Sequence, residues 1–222
     1  SVRRFFDDGI MQVSVDGKIL FKKSLIQILI DNGLEYFIFG GNVALHQYDP
    51  IHLNDIQPVL FDGKFFKKGD LFLSLRNLSM IVLYRPSENK IIWFKQFPWA
   101  LQHDVDILNE NQISIYNNKR LIFNFNKSYN KNNNILIYDF EKDEVLNKYE
   151  TLFKDFNIIS DREGLAEIQK DGSVFIEEGL YGRALQFDKN RNLIWKYINR
   201  AKNNKLYRLN WSRIIENVDD EL

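Results

Sequence analysis

Apolar and polar residues alternate along much of this chain, as they do in strands that bury one face of a sheet. The first example is residues 10–23, where the alternation stops at Asp16-Gly17 and then resumes. An Asp-Gly pair between two alternating segments is a strong signal for a tight turn between antiparallel strands. We therefore predict a β-hairpin over residues 10–23.

The alternation is lost over residues 24–33, where apolar residues form the face of a helix. Ser24 can cap the start of this helix, and Gly33 suits the position that follows its last turn. The sequence thus predicts a short helix near 24–32, followed by a strand or loop over 34–50.

The hairpin pattern returns three times after residue 50, and each copy follows another pair of alternating strands. Four strands per unit, repeated about every 40–50 residues, are typical of a β-propeller. The predicted fold is therefore all-β, with four-stranded antiparallel blades. The hairpins lie at 82–93, 136–147 and 185–195, and the strand pairs before them at 52–59 with 71–77, 103–108 with 112–117, and 164–169 with 173–178.

We expect residues 1–222 to form a single propeller domain with three whole blades and one half blade. Propellers typically close with about four to eight blades, so the chain is expected to be the C-terminal part of a larger propeller. The tail is expected to pack against the last blade, the alternative being that it supplies a closing strand. The predicted divisions are a half blade at 10–23, a helix or loop insertion at 24–50, blades at 51–98, 102–150 and 162–198, and a tail at 199–222.

Composition and charge exclude several classes of function. The 30 basic and 30 acidic residues balance, which gives no argument for a nucleic-acid partner. The chain has no cysteine for a disulfide or a metal site, and no apolar run near the roughly 20 residues of a membrane-spanning segment. The first residues do not form a signal peptide, because Asp7 and Asp8 fall where its apolar core would lie. Since no initiating Met is present, we expect the chain to start inside a larger protein.

Four polar residues on three successive segments could form an anion-binding pocket. His52 and Asn54 lie in the first segment, Arg76 on a predicted strand of the second, and His103 in the third. If the sheet repeat brings these segments together, the pocket is cationic, rich in imidazole and suited to a small oxyanion. The three histidines of the chain have no tight spacing, so neither a metal site nor another cofactor is predicted.

Two stretches carry a resemblance to a known family: DIQPVLFDGKFFKKGDLFLSLRNLSMIVLYRPSENKIIW at 55–93 and QHDVDILNENQISIYNN at 102–118. They resemble the bacterial arylsulfotransferase-like proteins, which are six-bladed propellers. The resemblance extends over about residues 10–215 and is strongest over 51–118. It depends on the combination of His-x-Asn, Ser-x-Arg-x-x-Ser and Gln-His before a strand, each of which is weak alone.

The resemblance implies transfer of a sulfuryl group from an aryl sulfate to a phenol, through a histidine and without a nucleotide donor. His103 matches the nucleophile of the family, whereas His52, Asn54 and Arg76 match groups that bind the sulfate. The catalytic candidates are thus His103, His52 and Arg76, and the substrate-binding candidates are Asn54, Arg76 and His52. The partners implied are a small aryl sulfate and a phenol, in a periplasmic or other extracytoplasmic location.

Two departures from the family indicate a divergent branch. The segment between His52 and Arg76 is longer than in the best-known members, and a cysteine pair is absent. A further active-site histidine of the family comes from an earlier blade, which this chain does not contain.

The residue types fit the chemistry of sulfuryl transfer. By analogy with phosphoryl transfer, its transition state is expected to be loose, with charge on the peripheral oxygens. Arg76 offers a planar fork of donors for two sulfate oxygens, and a neutral imidazole at His103 is a competent nucleophile.

Each candidate also has a purely structural explanation. Arg76 could tie neighbouring blades together, Asn54 could form a turn, and His103 could be a hydrogen-bonded structural residue. Trp93 and Trp195 occupy repeat positions, so we predict that they lie in the core between blades.

Three other polar positions are predicted to have no role in catalysis. Asn117-Asn118 is predicted to form a turn at the end of a strand, and His46 to lie in an exposed loop. Residues 126–134, NKSYNKNNN, are predicted to form a solvated loop, because they contain too few basic residues for a nucleic-acid surface.

Two alternatives to a sulfotransferase stay open. The first is a non-catalytic propeller that binds an anionic or glycan ligand at the same end, since propellers host many functions. The second is a quinone-dependent dehydrogenase, which is less favoured because the repeats lack its regular glycines and its metal ligands.

Overall fold

The structure, a computed structural model, describes residues 5–40, 48–124, 127–130 and 132–215. Within these residues, the strands form three four-stranded and two two-stranded antiparallel sheets. The prediction of an all-β fold with four-stranded antiparallel blades is confirmed. The strands are β1 (Gly9–Val13), β2 (Ile19–Ser24), β3 (Leu53–Pro58), β4 (Leu71–Leu75), β5 (Met80–Arg85), β6 (Lys90–Gln96), β7 (Val105–Asn109), β8 (Gln112–Asn117), β9 (Arg120–Asn124), β10 (Lys127–Asn130), β11 (Asn134–Asp139), β12 (Glu144–Leu146), β13 (Leu165–Ile168), β14 (Val174–Glu178), β15 (Arg183–Phe187) and β16 (Leu193–Ile198).

The strands of each four-stranded sheet follow one another in chain order. The first sheet has the order β3-β4-β5-β6, the second β7-β8-β11-β12 and the third β13-β14-β15-β16. The hairpin β9–β10 is inserted between the second and third strands of the middle sheet, and β1–β2 forms the predicted N-terminal hairpin. The middle strands of each sheet are almost wholly buried, which explains their apolar composition.

Helix α1 (Leu25–Asp31) forms where the alternation of the sequence stops, as predicted. The hydroxyl of Ser24 accepts a hydrogen bond from the backbone N–H of Gln27 at 3.0 Å and so caps the first turn. Gly33 follows the last turn with a φ of +71°, a conformation that glycine adopts without strain. The apolar face of α1 packs against the first four-stranded sheet.

Two further short helices are not predicted by the sequence pattern. Helix α2 (Tyr36–Phe39) lies where a strand or loop is expected, and α3 (Glu150–Asp155) follows the second sheet. Each is too short to show a helical period, so its apolar residues cannot be told from those of a strand. The buried Leu152 and Phe153 of α3 pack into the core between the second and third sheets. No helix in the described residues is long and apolar enough to cross a membrane.

The Asn- and Lys-rich segment at 126–134 is not simply a solvated loop, and that prediction is wrong for most of it. Its residues 127–130 form strand β10, which pairs with β9 in an antiparallel register, and Asn134 opens β11. Asn and Lys are depleted in strands, so the composition hides a hairpin. Residues 126 and 131 lie outside the described part of the chain, as does His46.

The three four-stranded sheets stack face to face, and an apolar cluster fills each interface. Trp93 belongs to the first interface, where its ring lies 5.0 Å from that of Tyr138 and 4.8 Å from that of Phe140. Trp195 is 40% exposed on the edge strand β16, so its predicted place between blades is wrong. The difference arises because Trp93 faces the next sheet, whereas Trp195 lies on the last sheet of the chain.

The tail lies against the third sheet. The backbone N–H of Leu209 donates to the carbonyl of Gly179 at 3.0 Å. The backbone N–H groups of Trp211 and Ser212 donate to the Glu177 carboxylate at 3.2 and 2.7 Å. These bonds fix the course of a segment that forms no regular strand.

The first strands of successive sheets, β3, β7 and β13, are linked by carboxylates. The backbone N–H of Val105 donates to Asp55 at 3.0 Å, and that of Ala166 donates to Asp104 at 3.1 Å. The loops that precede these strands therefore meet at one end of the stacked sheets, where the predicted site residues lie.

Candidate functional site

The predicted site residues lie where the chain enters the first strands of the sheets. His52 directly precedes β3, Asn54 is the second residue of that strand, and His103 lies two residues before β7. Arg76 is predicted on a strand, but it begins a 3-10 turn that joins β4 to β5. The sequence hides this turn because it ends at Ser79, which has a left-handed φ of +48°, rather than at a glycine.

Hydrogen bonds bring the three predicted segments together. The backbone N–H of Arg76 donates to the carbonyl of His52 at 3.0 Å, and the Asn54 amide donates to the carbonyl of Gln102 at 2.9 Å. The buried Gln102 side chain donates in turn to two carbonyls of the first sheet, at 3.2 and 3.0 Å. Part of the donor capacity of Asn54 is thus structural, which leaves its second N–H and its oxygen for a ligand.

His103 is buried, with 6% of its surface exposed, and both of its ring nitrogens have partners. Its Nδ1 lies 2.7 Å from Asn118 Oδ1, and its Nε2 accepts from the backbone N–H of Glu163 at 2.8 Å. The amide nitrogen of Asn118 donates to the carbonyls of Ser160 and Glu163, both at 3.0 Å, which makes Oδ1 the acceptor. The ring proton of His103 is therefore on Nδ1, and the lone pair of Nε2 is occupied.

Burial lowers the pKa of His103 to about 4, and repulsion by Arg76 and His52 adds to the effect. The imidazole is therefore neutral at physiological pH, as a nucleophile must be. Its reactive lone pair, however, points at a backbone N–H group of the protein. Attack by Nε2 requires that this hydrogen bond first break.

His52 has the opposite arrangement. Its Nδ1 pairs with the carboxylate of Asp49, its side chain is 43% exposed, and no described residue makes a hydrogen bond to its Nε2. The Asn77 side chain donates to the carbonyl of Asp49 at 2.6 Å and so holds this loop beside the Arg76 turn. A carboxylate on Nδ1 orients an imidazole and leaves the lone pair on Nε2 available.

The site also contains two arginines that the sequence analysis missed. Arg120 is the first residue of β9, and Arg162 lies in the loop before β13. Burial, followed by repulsion from Arg120 and Arg162, lowers the pKa of Arg76 to about 10. Arg120 and Arg162 therefore lie close enough to Arg76 for their charges to repel it.

An acidic cavity of about 1070 Å³ runs along the first strands, next to the cationic residues. Asp55 and Asp104, which line it, directly follow Asn54 and His103 in the sequence. Asp106 and Glu167 line the same cavity, together with Arg213 of the tail and others.

Burial raises the pKa of the three aspartates in this cavity, and repulsion between carboxylates adds to the effect for Asp104 and Asp106. For Asp106 the pKa reaches about 7. Among the described residues, no group of three or more His, Asp or Glu side chains is arranged to hold a metal ion. The lining also includes Lys148 and Lys170, so its acidic side chains outnumber its basic ones by only one.

Sequence reasoning found the residues that match a motif, but it missed the residues that orient them. Asp49 is three residues before His52, a spacing that carries no signal by itself. Asn118 follows the end of β8, where a turn is predicted, but it is only 2% exposed and binds His103. Contacts of Glu163 and Arg162 depend on the packing of the third sheet, which no local pattern reveals.

A model of the arylsulfotransferase (ASST) family matches residues 2–200, which is most of the chain. The chain belongs to the arylsulfotransferase family. Membership indicates an arylsulfotransferase-like function with aryl sulfate and phenol substrates, and it is compatible with an extracytoplasmic location. A comparison with curated proteins finds no match.

Proposed function

We propose that the cationic end of the sheets transfers a sulfuryl group from an aryl sulfate ester to a phenol through a sulfated histidine, without a nucleotide donor. Family membership supports the reaction class. The observation that carries the proposal is the Asp49–His52 pair, which leaves an exposed imidazole nitrogen next to the Arg76 turn.

The geometry favours His52 as the nucleophile over His103, which the family resemblance implies. An attacking imidazole needs a lone pair that is free and can reach the substrate. His52 Nε2 meets both conditions, whereas His103 Nε2 accepts a hydrogen bond from Glu163 inside a buried site. Attack by His52 on sulfur forms a cationic, sulfated imidazole. The carboxylate of Asp49 stabilises this cation.

The reaction consists of two displacements at sulfur. In the first, the lone pair of His52 Nε2 forms an N–S bond while the bond between sulfur and the aryl oxygen breaks, and the phenolate leaves and takes a proton from water. In the second, the oxygen of the acceptor phenol forms a bond to sulfur and gives its proton to water, while the N–S bond breaks and its electron pair returns to His52 Nε2. Arg76 and Asn54 bind the sulfate oxygens and stabilise their charge in both steps.

His103 has a positioning role in this scheme. Its ring joins the loop of Asn118 to the loop of Glu163 at 2.7 and 2.8 Å. If His103 is instead the nucleophile, the bond to Glu163 has to open when the donor binds, and the same experiment distinguishes the two assignments.

Mass spectrometry of the protein mixed with an aryl sulfate donor alone tests the proposal. We expect an adduct of sulfuryl mass on the peptide that contains His52, and loss of both adduct and transfer in His52→Ala. An adduct on His103 that survives in His52→Ala would reassign the nucleophile. If neither histidine is labelled and no transfer to a phenol occurs, the catalytic proposal is wrong and a non-catalytic anion-binding module takes its place.

A further inference from the structure

Three arginines from three different loops share the cationic end of the sheets. Arg76 begins the turn after β4, Arg120 begins β9, and Arg162 lies before β13. The loops of Arg120 and Arg162 are both bonded to the ring of His103, through residues one or two positions from each arginine. This shared partner fixes the two loops with respect to each other.

None of the three arginines has a carboxylate partner among the described residues. Arg76 donates to the side chain of Asn77 at 2.6 Å, which is a neutral acceptor. The Nε of Arg120 is buried and has no hydrogen-bond partner, and Arg162 is exposed and makes no described side-chain hydrogen bond. A buried donor without an acceptor is costly, so this arrangement is one that a ligand would stabilise.

Three other arginines of the described chain, Arg85, Arg183 and Arg208, are paired with acids. Arg85 donates to both oxygens of Asp70, at 2.7 and 2.8 Å, and Arg183 pairs with Glu178. The charges of these paired arginines are already neutralised by acids, unlike those of the three arginines at the cationic end.

The charge of this site exceeds what one sulfate ester can neutralise. A sulfate monoester carries a single negative charge, whereas Arg76, Arg120 and Arg162 contribute three positive charges. Asp49 attracts Arg76, but its carboxylate is already paired with His52. The mutual repulsion of the arginines, which helps to lower the pKa of Arg76 to about 10, would be relieved by a second anionic group.

We propose that Arg120 and Arg162 form a second anion subsite, which selects substrates that carry an oxyanion group in addition to the reacting sulfate. The identity of that reacting group rests on the function proposed above, whereas the subsite itself rests on the unpaired arginines. Carboxylate, sulfate and phosphate groups share the planar or tetrahedral oxygens that a guanidinium fork binds.

Two unreactive sulfonates separate binding at the subsite from sulfuryl transfer. 4-Sulfobenzoate has two anionic groups, and its methyl ester retains only the sulfonate on the same ring. By isothermal titration calorimetry, we expect the natural chain to bind 4-sulfobenzoate at least about tenfold more tightly than the ester, since a charge-assisted hydrogen bond supplies that factor.

Arg162→Gln and Arg120→Gln should each reduce this affinity ratio towards one. Arg162 is exposed, so its substitution leaves the core intact and remains informative even if Arg120→Gln destabilises the fold. The matched control is Arg191→Gln, because Arg191 lies over the ring of Tyr149 at 5.5 Å and should leave the ratio unchanged. Equal affinities for the two sulfonates, no binding of either, or a ratio that survives in both arginine variants would overturn the subsite.

The subsite and the proposed reaction fail in different ways. A tenfold ratio that depends on Arg162, without any sulfated histidine, would support the subsite and refute the reaction. Sulfated histidine with equal binding of the two sulfonates would support the reaction and refute the subsite.

Discussion

The cationic end of the sheets and the acidic cavity next to it are built from neighbouring residues of the same segments, yet their charges are opposite. Asn54 and His103 belong to the cationic end, whereas Asp55 and Asp104, one position further along, line the cavity. In both segments a step of one residue leads from the cationic end to the cavity lining. We therefore place the proposed anion site at the end of the strands, where the arginines lie, rather than in the cavity.

The net charge of the whole chain does not reveal these two regions. The formal net charge is zero at pH 7, because basic and acidic residues are equal in number. The fold nevertheless gathers Arg76, Arg120 and Arg162 at one place, whereas the cavity has four carboxylates among three basic side chains. Local charge depends on which loops meet, and composition contains no information about that.

The largest expected effect comes from removing the guanidinium fork of the cationic end. Arg76→Lys keeps the positive charge but loses the two parallel donors, so kcat/KM for an aryl sulfate should fall roughly 100-fold. Steady-state kinetics with a chromogenic aryl sulfate and a phenol acceptor measure this loss.

The matched control for Arg76→Lys is Arg191→Lys, a change of the same kind at a residue outside the site. It should leave kcat/KM unchanged, and both variants should unfold at nearly the natural urea concentration. Full activity in Arg76→Lys would show that the arginine has only a structural role at its turn.

The second effect concerns the hydrogen bonds that join the loops of the cationic end. Asn118→Leu removes the acceptor of His103 and the side-chain donor to the carbonyl of Glu163, whereas the carbonyl of Ser160 keeps its bond from Asn133. We expect the free energy of unfolding to fall by about 2 kcal/mol, since buried polar groups then lack partners. Urea unfolding measures this change, with the exposed Asn190→Leu as a control that should shift stability by no more than about 0.5 kcal/mol. A loss as small as in the control would mean that the site loops hold themselves in place without Asn118.

The sequence pattern predicts much of this fold because most strands bury at least one face. The alternation around Asp16-Gly17 gives the first hairpin, and the apolar strands β4, β8 and β14 recur at the same place in each sheet. The pattern fails for β10, whose structure comes from strand pairing rather than side-chain burial. It also fails for α3, which is too short for the helical period to recur several times.

The candidate site was less predictable for a different reason. Motif residues such as His52 and Arg76 are visible in the sequence, but their states depend on partners from distant loops. Asp49 pairs with Nδ1 of His52 and so leaves the Nε2 lone pair of that ring free. In His103, by contrast, the Nε2 lone pair accepts a hydrogen bond from Glu163, which lies sixty residues further along the chain. Such partners follow from the packing of the sheets and leave no local pattern.

The smallest effect should come from the acidic cavity and should appear only as pH changes. Burial and repulsion by Asp55 and Glu167 raise the pKa of Asp106 to about 7, whereas Arg213 lowers it. An unfolded aspartate has a pKa of about 3.9, so between these values the folded chain binds more protons, and the contribution of this group to stability falls as pH rises. Asp106→Asn keeps the neutral shape at every pH and should raise the free energy of unfolding by about 1 kcal/mol at pH 8.

At pH 5 the same substitution should have a clearly smaller effect than at pH 8, because part of the titration window between the unfolded and the folded pKa of Asp106 then lies above the pH. His103 acts in the opposite sense: its pKa of about 4 lies below the unfolded value of about 6.5, so its contribution is lost as pH falls between them. In the natural chain, the stability lost through His103 as pH falls is partly offset by the stability gained through Asp106. Asp106→Asn removes this gain, so its stability should fall more steeply from pH 7 to pH 4. Urea unfolding across this range measures both curves. A constant difference between them at pH 5 and pH 8 would mean that Asp106 does not titrate in the cavity, and that the charge contrast with the cationic end is weaker than its lining implies.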